Sequence, residues 1–548
     1  MATEQGMQQS WEEKAQLPRK IRDESVARVE PALQGLPETL PQNSQGLAKA
    51  VLTRRELEIT ENYSVTELLN KLRSRELSSE EVTRAFLRRA AIAHYATNCL
   101  TELLWDEAIE RARYLDSLPE PVGPLHGLPI STKEHHGSKS KNGTANGSYV
   151  AWIGKPQGTP LLYDILWDAG CVYYARTTQP QTVMHLETES NIYGRTVNPY
   201  NRNLTPGGSS GGEGALIGFR GSLLGIGGDI GGSIRCPAAH SGIYGYKYEP
   251  TTKRLPTSGT RGHMLGKETI LSTLGPMAKD RDSLELFMKV VLDTKPWRLD
   301  PGLTTKAWTP YQFTKPLKIA VQWWDGVVMP HPPMTRALRE VADACKAAGM
   351  EVVEWDCTKL DHKKGWDITA ALYWPDGGAE VVALLEGAGE PVLPLTKFIL
   401  HEQPTAKSHN MHELWELCLE RDAYRERYAR AWTDTGKEDG RDVDVILCPP
   451  SFGAATPHEQ SRYWGYTSNW NLLDYPGVVF PVTTVDQEKD KKDMDYAPKN
   501  AEDKFVYEMY SPEKYEHAPV SLQIIGRRGY DEKVIAALVE IEKAMGRK

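Results

Sequence analysis

The stretch that decides the fold runs from Gly207 to His240: "GGSSGGEGALIGFRGSLLGIGGDIGGSIRCPAAH". Twelve of its 34 residues are glycine, against 46 in the whole chain of 548, so the glycine is concentrated here. Glycine serves where a backbone must take φ > 0 or approach another group closely. A phosphate cradle would be one reason. However, the Walker pattern needs a Lys followed by Ser or Thr after its last glycine, and a GxGxxG begun at Gly225 meets Ile230 at its sixth position. Gly207, Ser209 and Gly211 match GxSxG, but that nucleophile elbow requires a strand before the serine, and "NPYNRNLTP" (198–206) reads as a loop. Acyl transfer remains. In "GGDIGGSIR", Gly231 and Gly232 lead into Ser233. Successive backbone N–H groups in such a turn can form a nest for an oxyanion. A serine beside its own oxyanion donors is a candidate nucleophile.

Such a serine needs a base. Lys133 closes the apolar run "LPISTK" (128–133). A lysine at a strand end is ordinarily a surface cation. A buried one loses its charge to desolvation, its pKa falling from about 10.4 toward neutrality, and can then accept a proton. Spacing alone leaves both readings open. His135 and His136 follow; as strand neighbours they would point to opposite faces and act as ordinary polar residues. No HExxH, HxH or carboxylate ladder is present, so no metal ligand set is expected.

Composition narrows the class. An apolar share of 40% and a charged share of 25% suit a globular protein with an ample core. The net charge of −8 argues against nucleic acid as a partner. Seven cysteines, odd in number and without a CxxC pair, read as buried free thiols in a reducing compartment. With no secretory signal and no membrane span visible, a cytoplasmic location is expected.

Helical patterns dominate the first third. "YSVTELLNKLRSREL" has Ser64 and Glu67 at capping-box spacing. "SSEEVTRAFLRRAAIAHYA" carries a stripe through Val82, Phe86, Ala90 and Ile92, and "DEAIERARYLDSL" makes a third helix. Residues 1–60 read as short helices broken by prolines. The rhythm then changes to helix, glycine, strand, as in "TPLLYDILWDAGCVYYART". "KIAVQWWDGVV" (318–328), "MEVVEWD" (350–356) and "VDVILCPPS" (443–451) read as buried strands, and 486–504 as a charged surface excursion.

"GGSSGGEGAL" followed by "GSLLGIGGDIGGSIRCPAA" resembles the amidase signature family, and "GPLHGLPISTKE" resembles the family's lysine-bearing strand. The resemblance runs from about residue 60 to the end and is most similar to the fungal acetamidase-like branch, related to fatty-acid-amide hydrolases. It implies an α/β fold: a single large domain over 61–548, with a mixed central β-sheet covered by helices on both faces, and an N-terminal helical extension over 1–60. It implies a Ser–cis-Ser–Lys triad, with Ser233 as nucleophile, Ser209 as the bridging serine after a cis peptide bond, and Lys133 as base. The N–H groups of Ile230, Gly231, Gly232 and Ser233 would form the oxyanion hole. Ser210, Asp229 and Arg235 would support it, and Met184 and Trp470 would line the substrate pocket. No cofactor is implied.

The implied reaction is hydrolysis of a small-molecule carboxylic amide to a carboxylate and ammonia or an amine. Acyl transfer to an amine, cleavage of an ester or carbamate, and an inactive binding homologue are the alternatives. An amidotransferase subunit acting on tRNA fits the acidic balance poorly. A homodimer is the commonest assembly to expect. The chain departs from the family pattern twice: Gly228 stands where the family usually has threonine, and Tyr248 and Glu249 are inserted in "GYKYEPTTK".

Overall fold

The computed structural model describes residues 9–136, 146, 148–250 and 253–547. Apolar runs that alternate with amphipathic helices condense into thirteen strands: β1 (Leu100–Leu103), β2 (Pro129–Lys133), β3 (Val172–Thr177), β4 (Glu189–Ser190), β5 (Gly194–Arg195), β6 (Leu224–Asp229), β7 (Tyr244–Lys247), β8 (Thr273–Ala278), β9 (Lys318–Val321), β10 (Glu351–Glu354), β11 (Val445–Cys448), β12 (Gly477–Thr484) and β13 (Pro519–Ile525). Eleven of them form one sheet in the order β1-β3-β2-β6-β8-β7-β12-β13-β11-β9-β10, while β4 and β5 pair separately.

The sheet is mixed. β2 lies parallel between β3 and β6, and β9 parallel between β11 and β10. The intervening ladders, β6–β8, β8–β7, β7–β12, β12–β13 and β13–β11, are antiparallel. The expected single α/β domain with a mixed sheet flanked by helices is what the chain forms. Strands β2, β3, β11 and β13 are buried along their whole length, as fits strands with both faces covered.

Local expectations hold where a cap or an apolar period specifies them. Ser64 and Glu67 form the capping box of the helix Val65–Arg73. The helix Ser79–Thr97 is buried on nearly every side rather than along one stripe, because it lies between the sheet and other helices. Three local expectations change. Residues 11–27 form one helix with Pro18 inside it, not several short ones. β10 is not buried: it is the last strand of the sheet, with no partner beyond it, and its Glu351 and Glu354 are exposed. Within the charged excursion, Asp490 is buried because Arg336 reaches it at 2.6 Å.

Among the described residues no helix is long and apolar enough to cross a membrane.

Candidate active site

The parallel strands β2 and β6 are in register, with Ser131 opposite Gly225 and Thr132 opposite Ile226. They end side by side at Lys133 and Asp229, and this placement organises the site.

Lys133 is 1% exposed, and its Nζ donates to Ser209 Oγ at 2.7 Å. Burial pushes its pKa down to about 7, against the weaker pull of the Asp229 and Glu213 carboxylates. Glu213 is itself buried. Desolvation raises its carboxyl to about 7, although it accepts hydrogen bonds from Ser131 (2.6 Å) and Thr177 (2.8 Å).

Ser209 follows a cis peptide bond from Gly208. The two glycines ahead of it are required. Gly207 has φ +86°, and a Cβ there would lie 2.7 Å from Pro237 Cα. A Cβ on Gly208 would lie 2.5 Å from the Glu187 carbonyl oxygen and 2.6 Å from its nitrogen. No strand precedes Ser209; Leu204 makes only an isolated bridge to Pro457, so GxSxG does not form an elbow. Ser210 precedes the helix Gly211–Gly218 without a side-chain capping bond, and its N–H donates to the Ser233 carbonyl at 3.1 Å. Its hydroxyl accepts from the Gly228 N–H at 3.2 Å. Ser210 thus joins the two serine-bearing segments.

Beyond β6 the chain turns sharply through Ile230–Ile234 into the helix Arg235–His240. Asp229 holds this turn from inside, accepting from the N–H groups of Gly232 (2.9 Å) and Ile234 (3.2 Å). Burial opposes its ionisation, but the Arg235 guanidinium, 3.1 Å away, overrides this and holds the carboxyl well below the usual range. Asn471 completes the cluster, donating to Asp229 at 2.9 Å and accepting from Arg235 at 2.6 Å.

The N–H groups of Ile230, Gly231 and Ser233 have no acceptor among the described residues, whereas that of Gly232 is committed to Asp229. The turn is fixed from outside by Tyr373, whose hydroxyl donates to the Ile230 carbonyl (2.6 Å), and by Thr467, which donates to that of Gly231 (2.7 Å). Ser233 is 5% exposed, and no hydrogen bond joins it to Ser209.

A cavity of about 500 Å³ opens over these groups, with Lys133, Ser209, Ile230 and Ser233 in its wall and residues 253–274 on another side. That volume lies within the range usual for small-molecule sites.

The amidase family model matches residues 81–535. The chain belongs to the amidase family.

This amidase is 40% identical to the acetamidase of Emericella nidulans, over 98% of this chain and 99% of that one. It is 38% identical to the acetamidase of Aspergillus oryzae, again over 98% and 99%. Among solved structures, a fatty acid amide hydrolase superposes with a TM-score of 0.91 at 36% identity, covering 98% of this chain and 95% of that one.

Of the pocket residues expected from the sequence, Met184 lines the cavity and Trp470 does not. Trp470 is 1% exposed in an aromatic core, edge-on to Tyr428. Its neighbour Asn471 and, on the same helix Gly465–Leu472, Thr467 reach the site instead. Sequence reading also missed His135 and His136. They lie in a 3₁₀ turn, Glu134–His136, not in the strand, so both rings reach the cavity wall with centroids 4.1 Å apart. Glu213, Tyr373 and Thr467 carried no local signal. Tyr248 is buried in the cavity wall, and Glu249 is held by Arg528 at 2.7 Å. Thr251 and Thr252 of the same motif lie outside the described residues.

Proposed function

We propose that this amidase hydrolyses carboxylic amides through an acyl-enzyme on Ser233, with Ser209 as the proton bridge and Lys133 as the base. The observation that carries the reading is the 2.7 Å contact between Lys133 Nζ and Ser209 Oγ, sealed from solvent at the wall of a cavity that Ser233 also lines. A lysine held near pH 7 is neutral for part of the time under ordinary conditions, which suits a general base.

In this reading Lys133 takes a proton by way of Ser209 as Ser233 attacks the amide carbonyl carbon. The tetrahedral oxyanion forms against the N–H groups of Ile230, Gly231 and Ser233. Gly232, the fourth donor implied by the family resemblance, has its N–H on Asp229 instead. The proton returns through Ser209 to the departing nitrogen. Water then attacks the acyl-enzyme, releasing the carboxylate and restoring Ser233. Asp229, Arg235, Asn471 and Ser210 hold the turn through the hydrogen bonds described above.

The names of the fungal relatives support small amides as substrates, and the cavity volume is compatible with them. The seven free cysteines, six of them buried, suit the reducing cytoplasm. Incubation with a panel of amides and esters, with mass spectrometry of the Ser233 peptide, tests the proposal. An acyl adduct on Ser233 and ammonia release from primary amides are expected. An adduct elsewhere, or turnover only when an amine acceptor is added, would overturn it.

A further inference from the structure

His136 stands apart from the proposed chemistry, yet it is built into the same cavity. It follows Lys133 by three residues and is 2% exposed. Its Nδ1 is buried with no hydrogen-bond partner among the described residues. A buried imidazole nitrogen without a partner is costly. Its neighbour His135, by contrast, is engaged by Gln179 at 2.6 Å. The backbone at Gly228 makes room for the His136 ring. A Cβ at 228 would lie 2.8 Å from His136 Nε2 and 3.1 Å from Cε1, and both residues line the cavity. The threonine expected at 228 therefore requires this ring to shift. Burial disfavours the charged imidazolium, and any positive charge on the neighbouring His135 or Lys133 adds to the effect. The ring therefore offers one N–H donor and one bare nitrogen acceptor.

We propose that His136 is a specificity-determining residue that hydrogen-bonds a polar substituent on the acyl group of the substrate, in a niche that exists because residue 228 is glycine. This rests on the reading of Ser233, Ser209 and Lys133 given above. There the carbonyl oxygen goes to the turn and the departing nitrogen to the relay, which leaves the acyl portion as the part of the substrate still lacking a polar contact. Amides with a hydroxyl or second carboxamide close to the reacting carbonyl are the matching class.

The test compares kcat/KM for near-isosteric pairs, glycolamide with propionamide and malonamide with 3-methylbutyramide, in the parent enzyme, His136→Ala, His136→Gln and Gly228→Ala. The parent is expected to favour the polar member. In His136→Ala that preference falls by about tenfold, the usual worth of one hydrogen bond, mostly through KM, while the apolar member changes little. His136→Gln, which keeps a donor and an acceptor, recovers part of it. Gly228→Ala reproduces the loss because its methyl displaces the ring. An unchanged preference in His136→Ala, or no preference in the parent, overturns the proposal. Labelling of Ser233 by a small fluorophosphonate, followed in parallel, needs no imidazole and should persist in the variants. Its absence in the parent would overturn the reading of Ser233 instead, which keeps the two failures distinct.

Discussion

Replacing Lys133 by methionine keeps the length of the side chain and removes the amine. The drop from 10.5 to about 7 in the folded protein corresponds to about 5 kcal/mol, at about 1.4 kcal/mol per pH unit. That is the cost of placing a lysine at this strand end while the unfolded chain still binds the proton. The sign follows from the proton count. Between pH 7 and 10.5 the unfolded chain holds a proton that the folded chain has released, so the parent gains stability as pH rises through this window. Below pH 7 both states are protonated and the full cost applies. Lys133→Met is thus expected to be more stable than the parent at pH 6, by about 4 kcal/mol once the lost bond to Ser209 is counted at about 1 kcal/mol. The gain should shrink toward pH 10. Activity should move the other way. kcat/KM for amides should rise about tenfold per pH unit up to pH 7 and then level off, leaving about 1% of the plateau at pH 5. The methionine variant should lose about 10²–10⁴-fold in kcat. Urea unfolding at pH 6, 8 and 10, with ammonia release from pH 5 to 9, provides both readouts. A flat activity profile over that range, or a methionine variant no more stable at pH 6, would refute the assignment of Lys133 as a buried, neutralised base.

Further consequences concern the frame of the site. Gly208→Ala places a methyl against the backbone of both Glu187 and His185, so a loss of about 3 kcal/mol or more is expected in denaturant titration, with little activity left. Arg235→Met strands the Asp229 carboxylate in a dry interior and should cost about 3–5 kcal/mol; adding Asp229→Asn should restore part of it, read from urea midpoints. Trp470→Phe, which changes the core and not the cavity, should lower the melting temperature and leave KM for amides within about twofold.

The glycine-rich segment was legible because its demands are local. A positive φ at Gly207, a backbone approach at Gly208 and a sharp turn at Gly231–Gly232 each exclude a side chain, and exclusion leaves a mark in sequence. The strand at Lys133 was legible as an apolar run, but its burial was not, since that depends on β3 and β6 closing over both of its edges. Asn471 and Trp470 show the limit. They are adjacent on a helix and equally buried, yet one reaches Arg235 and the other Tyr428, a matter of helix rotation that composition does not encode. The histidines were misread because the strand was extended past Lys133, whereas the chain turns there and brings both rings to one side.

The pairing of β2 with β6 acts as a ruler. Because side chains alternate along a strand, a slip of one residue between these neighbours would swing the lysine to the opposite face and disconnect it from Ser209. The segment 253–274, by contrast, borders the same space without belonging to that ladder over most of its length. Part of the cavity wall is thus encoded on a piece of chain separate from Lys133 and Ser233. Exchanging 255–272 among relatives is a route to new acyl preferences, provided Lys267 is kept, since it bonds the carbonyl of Tyr373 and Tyr373 holds the Ile230 turn.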